Sequence, residues 1–200
     1  MGLMRKFPKS NSRCHWLAIL GCLVFLFGCQ SNVDYSDIPV QKIYDGDTIR
    51  VANGERVRFI GVDCDEIHDN DKLLWDVKRT GIPAETLKAS GRKAFAFTRN
   101  LLAGRSVRLT FDIERRDKYG RLLAYVWVRA RGSDFNRPEY YITDVHIDGE
   151  GNVPYVFVNA SLAKAGMARP MNIRPDTTFA GLFQSLYEEA RSSGHLVVIP

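Results

Sequence analysis

The hydrophobic pattern of the folded part of the chain predicts a run of short β-strands. Apolar residues dominate segments 40–44, 48–51 and 57–62, and turn residues at 45–46 and 52–54 separate these segments. Short apolar runs bounded by Gly, Asn and Asp are typical of strands joined by tight turns. The sequence therefore predicts three consecutive strands at the start of the domain.

The pairing register of the second and third strands follows from which side chains must share a face. A two-residue turn ending at Gly54 would place Ile49 opposite Arg58 and mix core and solvent positions. A three-residue loop with Gly54 in the left-handed conformation instead pairs Ile49 with Val57 and collects the apolar side chains on one face. That register predicts Arg58 on the other face, beside Thr48 and near the acidic turn.

Three helices are predicted further along the chain. A helix is expected from Pro83 to a stop at Gly104, because apolar residues recur there every three or four positions. Asn159 is expected to cap a short helix, and Asp176 or Thr177 a last one. The helix that begins at Pro83 should lie across the sheet.

The remaining segments complete a mainly β domain of the α+β class. Strands are predicted at 106–113 and 122–128, on either side of a polar turn at 116–121. Segment 69–81 is expected to be a polar loop, and 129–152 an inserted hairpin or loop. Five short strands with a helix between the third and the fourth predict a five-stranded OB-fold barrel with three helices, a fold that commonly binds nucleic acid.

The N-terminal segment has the character of an export signal. A basic start is followed by an apolar run at 16–27, shorter than the roughly 20 residues of a membrane-crossing helix. Cys29 follows a small residue, as at a bacterial lipoprotein cleavage site, although an uncleaved anchor is the alternative. The chain is therefore divided into a signal peptide at 1–28, a tether at 29–37 beginning with lipidated Cys29, and a domain at 38–200. This places the protein in the cell envelope, on the periplasmic or outer-membrane face.

Charge and cysteine content narrow the function classes. The net charge is +5, but residues 1–28 hold four bases and no acid, which leaves 24 bases against 23 acids elsewhere. We therefore expect a local cationic groove and modest, salt-dependent affinity for polyanions. If the leader is removed and Cys29 is acylated, only Cys64 remains, so no internal disulfide is expected. The spacing of a structural zinc site is absent.

Carboxylates gather where the predicted strands end. Asp45 and Asp47 follow the first strand, and Asp63, Asp65 and Glu66 follow the third. Carboxylate, carbonyl and water oxygens are the ligands of Ca²⁺. Each acid alone could be a solvated strand end, but the combination favours a metal site. With an activated water, such a site suits hydrolysis of a phosphodiester.

Four segments, in this order, resemble the successive motifs of the thermonuclease (staphylococcal nuclease-like) family. They are the segments at 45–48, 58–66, 116–121 and 158–168. The resemblance extends from about residue 40 to residue 190. It implies a five-stranded OB-fold barrel with three helices and Ca²⁺-dependent cleavage of DNA and RNA.

The resemblance also implies roles for individual residues. The calcium ligands would be the carboxylates of Asp47 and Asp63 and the backbone carbonyl of Cys64. Glu66 matches the residue that acts on the attacking water. The two arginines that bind the phosphate would be Arg58 and Arg121. Lys118 and Tyr119 would lie near the nucleotide pocket.

Two segments depart from the family pattern. Cys64-Asp65 stands where Thr-Pro is usual, which removes a rigid proline before Glu66 and adds a charge that could bind metal or disturb it. Residues 171–174 stand where a family member carries tyrosines that stack on the base, so base stacking by this segment is not expected.

The sequence leaves two other functions open. The same barrel could bind nucleic acid without cutting it, or the chain could be an envelope interaction lipoprotein whose inserted loops contact a partner. In the favoured interpretation the partners are DNA or RNA and, through the N-terminal lipid, a membrane. We expect a monomer.

Overall fold

The structure is a computed structural model that describes residues 33–197 of the chain. The predicted signal peptide, Cys29 and residues 30–32 of the tether lie outside the described residues. The strands are β1 (Ile38–Ile43), β2 (Thr48–Val51), β3 (Arg56–Phe59), β4 (Val62–Asp63), β5 (Ser106–Thr110), β6 (Leu122–Arg129), β7 (Ile142–Ile147), β8 (Gly151–Phe157) and β9 (Arg169–Pro170). The α-helices are α1 (Asp71–Thr80), α2 (Ala84–Leu102), α3 (Val158–Lys164) and α4 (Ala180–Ser192).

Five of the strands close a barrel. Strand β1 pairs antiparallel with β2 and β5, β2 pairs with β3, and β5 pairs with β6. The parallel pairing of β3 with β6 closes the ring. This arrangement confirms the predicted five-stranded barrel and the α+β class.

The predicted register of β2 and β3 is also confirmed. Ile49 lies opposite Val57, and Thr48 lies opposite Arg58. Ile49 and Val57 are fully buried in the barrel core. Because side chains alternate along a strand, this pairing places Arg58 on the outer face, where the site is built.

The prediction of three helices was wrong, because the described residues contain four. Segment 69–81, expected to be a loop, contains α1. The Asn70 side chain caps this helix by accepting a hydrogen bond from Leu73 N at 2.8 Å, and Gly81 ends it in the left-handed conformation. Leu73 and Asp76 are buried whereas Leu74 and Trp75 are exposed, so the apolar residues of this segment do not mark one helical face. None of the four α-helices combines the length and apolar character needed to cross a bilayer.

The predicted caps of the last two helices are also corrected. Helix α3 begins at Val158, so Asn159 lies inside it. The fully buried Asn159 side chain donates to Ile60 O at 2.8 Å and accepts from Val126 N at 2.9 Å. Asp176 lies ahead of α4 and accepts from the backbone of residue 114. Both side chains form tertiary contacts instead of helix caps.

The segment at 129–152 forms part of a hairpin that extends the sheet. A short 3-10 helix, Gly132–Asn136, is followed by β7, which pairs along its whole length with β8. Strand β8 in turn pairs with β6. The hairpin alternative for this segment is therefore the observed one.

Candidate active site

The acidic turn between β1 and β2 packs against the loop that follows β4. Gly46 lies so close to Cys64 that a Cβ atom at this position would stand 2.6 Å from the Cys64 sulfur. The hydroxyl of Thr98 on α2 donates to Gly46 O at 2.6 Å. These contacts bring Asp47 beside Asp63, although 15 residues separate them in the sequence.

Arg58 joins the two predicted calcium carboxylates. Its guanidinium contacts Asp47 Oδ1 and donates to Asp63 Oδ1 at 2.9 Å. Asp47 Oδ2 accepts a further hydrogen bond from Cys64 N at 2.7 Å. Asp47 is only 2% exposed, so this guanidinium supplies the positive charge that a buried carboxylate requires.

A lysine of α1 contacts two of the predicted metal ligands and the predicted catalytic Glu66. Lys72 Nζ is 3.0 Å from Cys64 O, 3.0 Å from Glu66 Oε1 and 3.4 Å from Asp63 Oδ1. We call these three oxygens the oxygen cradle. The ammonium group contacts all three oxygens, so a positive charge of the chain itself already occupies the cradle.

The donor set of the cradle fits an oxygen-binding metal ion. Two carboxylates and a backbone carbonyl match the ligand chemistry of Ca²⁺. Within residues 33–197, no group of three or more His, Cys, Asp or Glu side chains is arranged to hold a metal. The Arg58 guanidinium lies between Asp47 and the cradle. One oxygen of Asp47 contacts this guanidinium, and the other accepts from Cys64 N. A metal in the cradle requires Lys72 to move aside.

The surrounding cations keep the site ionised. Burial acts to raise the pKa of Asp63, but Arg58, Lys72 and Arg169 outweigh it and hold that pKa below its usual range. Burial acts to lower the pKa of Lys72, whereas the charges of Asp63 and Glu66 raise it above the ordinary value. Both groups are therefore charged at neutral pH.

Asp65 belongs to the ion-pair network of the site. It is 2% exposed, and its Oδ1 lies 2.7 Å from Arg169 Nη1. The other amino group of Arg169 is 3.0 Å from Asp63 Oδ2. The pairing of β4 with β9 places Asp63 opposite Arg169. Arg169 thus balances the charge that Asp65 adds, and no local sequence signal identified it.

Two helices hold the loop that carries Glu66. On α2, a Cβ atom added to Gly91 would stand 2.6 Å from both Asp65 O and Glu66 O, so only glycine allows this approach. At the start of α1, Asn70 Nδ2 donates to Glu66 Oε2 at 2.8 Å. Asn70 and Lys72 were not predicted as site residues, although Asn70 is a typical helix cap that indicates the start of α1.

The predicted phosphate and nucleotide residues meet in one cavity. Arg58, Lys118, Tyr119 and Arg121 line a cavity of about 340 Å³. Arg121 Nε is held by Asp117 Oδ2 at 2.6 Å. The opposite wall is apolar and comes from the segment after β9. It contains Met171 and Ile173.

The position of Lys72 generates a prediction about metal affinity. The substitution Lys72→Met removes the ammonium and keeps an unbranched side chain. We expect Ca²⁺ to bind about tenfold more tightly or better, since a unit charge ~4 Å away is worth about 1–4 kcal/mol. Isothermal titration calorimetry measures this affinity.

The control is Lys78→Met, which changes an exposed lysine of the same helix. Its affinity for Ca²⁺ should remain that of the unmodified protein. Equal affinities of the Lys72 and Lys78 variants would show that Lys72 does not compete for the cradle.

The close approach at Gly91 generates a prediction about stability. Gly→Ala inside a helix usually raises the free energy of unfolding by about 0.5–1 kcal/mol. We expect Gly91→Ala to lower it instead, by about 1–3 kcal/mol, because the new methyl group overlaps the backbone at Asp65 and Glu66. Urea denaturation measures both effects. Gly181→Ala on α4, which meets nothing within 4 Å, is the matched control and should stabilise. A stabilising Gly91→Ala would contradict the packing described here.

Comparison with known proteins places these features in a family. Residues 56–195 match the family model described as "Staphylococcal nuclease homologue". The chain is similar to a thermonuclease of Staphylococcus intermedius, with 32% identity over 76% of this chain and 70% of the relative. It is 28% identical to a thermonuclease of Staphylococcus hyicus over 80% of this chain and 75% of the relative. Endonuclease YncB of Bacillus subtilis is 30% identical over 78% of this chain and 58% of its own length. The chain therefore belongs to the staphylococcal nuclease family.

Proposed function

We propose that this protein is a Ca²⁺-dependent nuclease that hydrolyses the phosphodiester bonds of DNA, RNA or both. The relatives named thermonuclease and endonuclease support the nuclease class. The observation that carries the proposal is the position of Arg58. Its guanidinium contacts Asp47 and Asp63, while the residue also lines the cavity that contains Arg121.

Two arginines can bind the scissile phosphate. A guanidinium presents parallel N–H donors to the oxygens of a phosphate, and both Arg58 and Arg121 have carboxylate partners that hold them in place. A phosphate in the cavity exchanges part of these ion pairs for its own oxygens. The same donors stabilise the charge that gathers on the phosphoryl oxygens during attack.

The oxygen cradle is the proposed position of the metal. Asp63 and the carbonyl of Cys64 would hold it, with Asp47 as the nearest further carboxylate and Glu66 at the edge of the site, on the side of the attacking water. When bound, Ca²⁺ would polarise a phosphoryl oxygen and lower the pKa of water. The residues around the cradle would hold the positive charge of the metal close to Arg58.

Glu66 is the proposed general base. Its carboxylate is half-buried and lies at the edge of the cradle, where Asn70 holds one oxygen and Lys72 the other. A carboxylate in this position takes a proton from the attacking water. Gly91 of α2 packs against the backbone carbonyls of Asp65 and Glu66, which holds this part of the loop against the helix.

The apolar wall of the cavity suits a base with weak sequence preference. Tyr119 is 72% exposed, and Met171 and Ile173 face the same space. Every base has an apolar face, so stacking against such side chains tolerates any sequence. Residues 171–174 lack the tyrosines that a family member carries there, but Met171 and Ile173 still supply contact surface for a base.

The proposed reaction predicts a dependence on both metal and Glu66. We expect cleavage of a plasmid and of a homopolymer RNA with added Ca²⁺, and loss of both in EDTA. Glu66→Gln should lower turnover about 10²–10⁴-fold, as for loss of a general base, with a smaller change in substrate binding.

Glu188→Gln on the exposed face of α4 is the matched control and should cleave normally. Full hydrolysis in EDTA would exclude the metal mechanism. Tight binding without cleavage by the unmodified protein would favour the non-hydrolysing module.

The proposal also includes export and lipid anchoring, which rest on the leader and the position of Cys29. We expect the protein to sediment with membranes, and Cys29→Ser to release it or block its processing. Cys64→Ser, which changes the buried cysteine of the domain, should leave membrane association intact. Cell fractionation and mass spectrometry of the N-terminal peptide measure both, and an unmodified Cys29 in the mature protein would refute the anchor.

A further inference from the structure

Three cations form a row across the outer face of the barrel. Lys42 on β1 lies opposite Arg50 on β2, and Arg50 lies opposite Arg56 on β3. All three surround one aromatic ring. The Lys42 ammonium is 4.8 Å, the Arg50 guanidinium carbon 5.7 Å and that of Arg56 4.4 Å from the ring centroid of Tyr44. We call these four residues the basic strip.

The basic strip has no acidic counterpart in the described part of the chain. No Asp or Glu carboxylate oxygen of residues 33–197 lies within 4.0 Å of the charged nitrogens of Lys42, Arg50 or Arg56. Arg50 Nε is buried and has no hydrogen-bond partner there. The nearby Glu55 is engaged by Arg116 at 2.6 Å. Among residues 33–197, the charges of the strip therefore have no ion-pair partner.

Folding gains little from this arrangement. Like charges directly opposite each other destabilise a sheet, and each exposed contact of a cation with a ring recovers only about 0.5–1 kcal/mol. A cation that lies over an aromatic face is, however, held in position while its N–H groups remain free. The strip therefore resembles a preformed surface for a polyanion.

The strip continues into the proposed active site. Arg56 and Arg58 lie on the same face of β3, about 7 Å apart along the strand, and Arg58 lines the cavity. Tyr44 directly precedes the turn that carries Asp47. Across β1 to β3 the row spans about 10 Å. One extended nucleic-acid strand can thus leave the cavity and follow the cations.

We infer that the basic strip binds the phosphodiester backbone of the nucleic-acid strand on one side of the scissile phosphate. Lys42, Arg50 and Arg56 contact successive phosphates, and Tyr44 positions them. This inference rests on the proposed function, because it assigns a path to the substrate of that site.

The test compares binding of short and long single strands in EDTA, where no metal-dependent cleavage interferes. Fluorescence anisotropy is measured with labelled (dT)₂ and (dT)₁₂ over a range of salt. The triple variant Lys42→Gln, Arg50→Gln, Arg56→Gln should lose most of the affinity gained with length, at least tenfold at low salt. Its plot of log K against log[salt] should be shallower by about 2, since each contact with a single strand contributes about 0.7.

The matched control removes three charges from other exposed positions, Lys78→Gln, Arg92→Gln and Arg191→Gln. This control variant should keep the affinity that is gained from (dT)₂ to (dT)₁₂. Equal losses in the two triple variants would show that net charge alone matters and would overturn the inference. So would a basic-strip variant that binds (dT)₁₂ as the unmodified protein does.

Two single variants test the role of the ring. Tyr44→Phe keeps the aromatic face and should bind (dT)₁₂ normally, whereas Tyr44→Ala should weaken binding several-fold. Equal binding by both would remove the positioning role of Tyr44. Plasmid cleavage by the unmodified protein with Ca²⁺ is assayed in parallel. Its failure would refute the proposed nuclease, while the binding series in EDTA would still decide on the strip.

Discussion

The compensation of buried carboxylates by cations of the same chain is the constraint on which this site depends. Removing an ionised group from water costs several kcal/mol unless a partner of opposite charge is held close to it. Arg58 meets that requirement for Asp47 and Asp63 together, and Arg169 meets it for Asp63 and Asp65. The acidic loops can fold against the barrel only because these guanidinium groups reach them.

The same compensation explains how a folded site can remain ready for ligands. The cations that stabilise the carboxylates are also those that a metal ion or a phosphate would replace or recruit. Lys72 occupies the position of a cation, and Arg58 stands between the acids and the cavity. The proposed metal and substrate would therefore bind by exchange of ion-pair partners.

The loop at Cys64-Asp65, which departs from the family pattern, is held by contacts with segments that are distant in the sequence. Asp65 stands where a proline is usual, and Arg169 of β9 neutralises it. The backbone at Glu66 packs against Gly91 of α2, and Asn70 at the start of α1 donates to the Glu66 carboxylate. Tertiary packing thus holds a loop that lacks the proline.

Local patterns in the sequence were sufficient for the barrel strands, for the register that pairs Ile49 with Val57, and for the order of the motifs. Those features depend on short-range alternation and turn chemistry, which a sequence displays directly. Helix α1 was missed because its buried face includes Asp76 while its apolar Leu74 and Trp75 are exposed. The contacts of Lys72 with the cradle and of Arg169 with Asp63 arise only when α1 and β9 pack beside β4. Such ion pairs have no sequence signature, because their geometry exists only after the chain has folded.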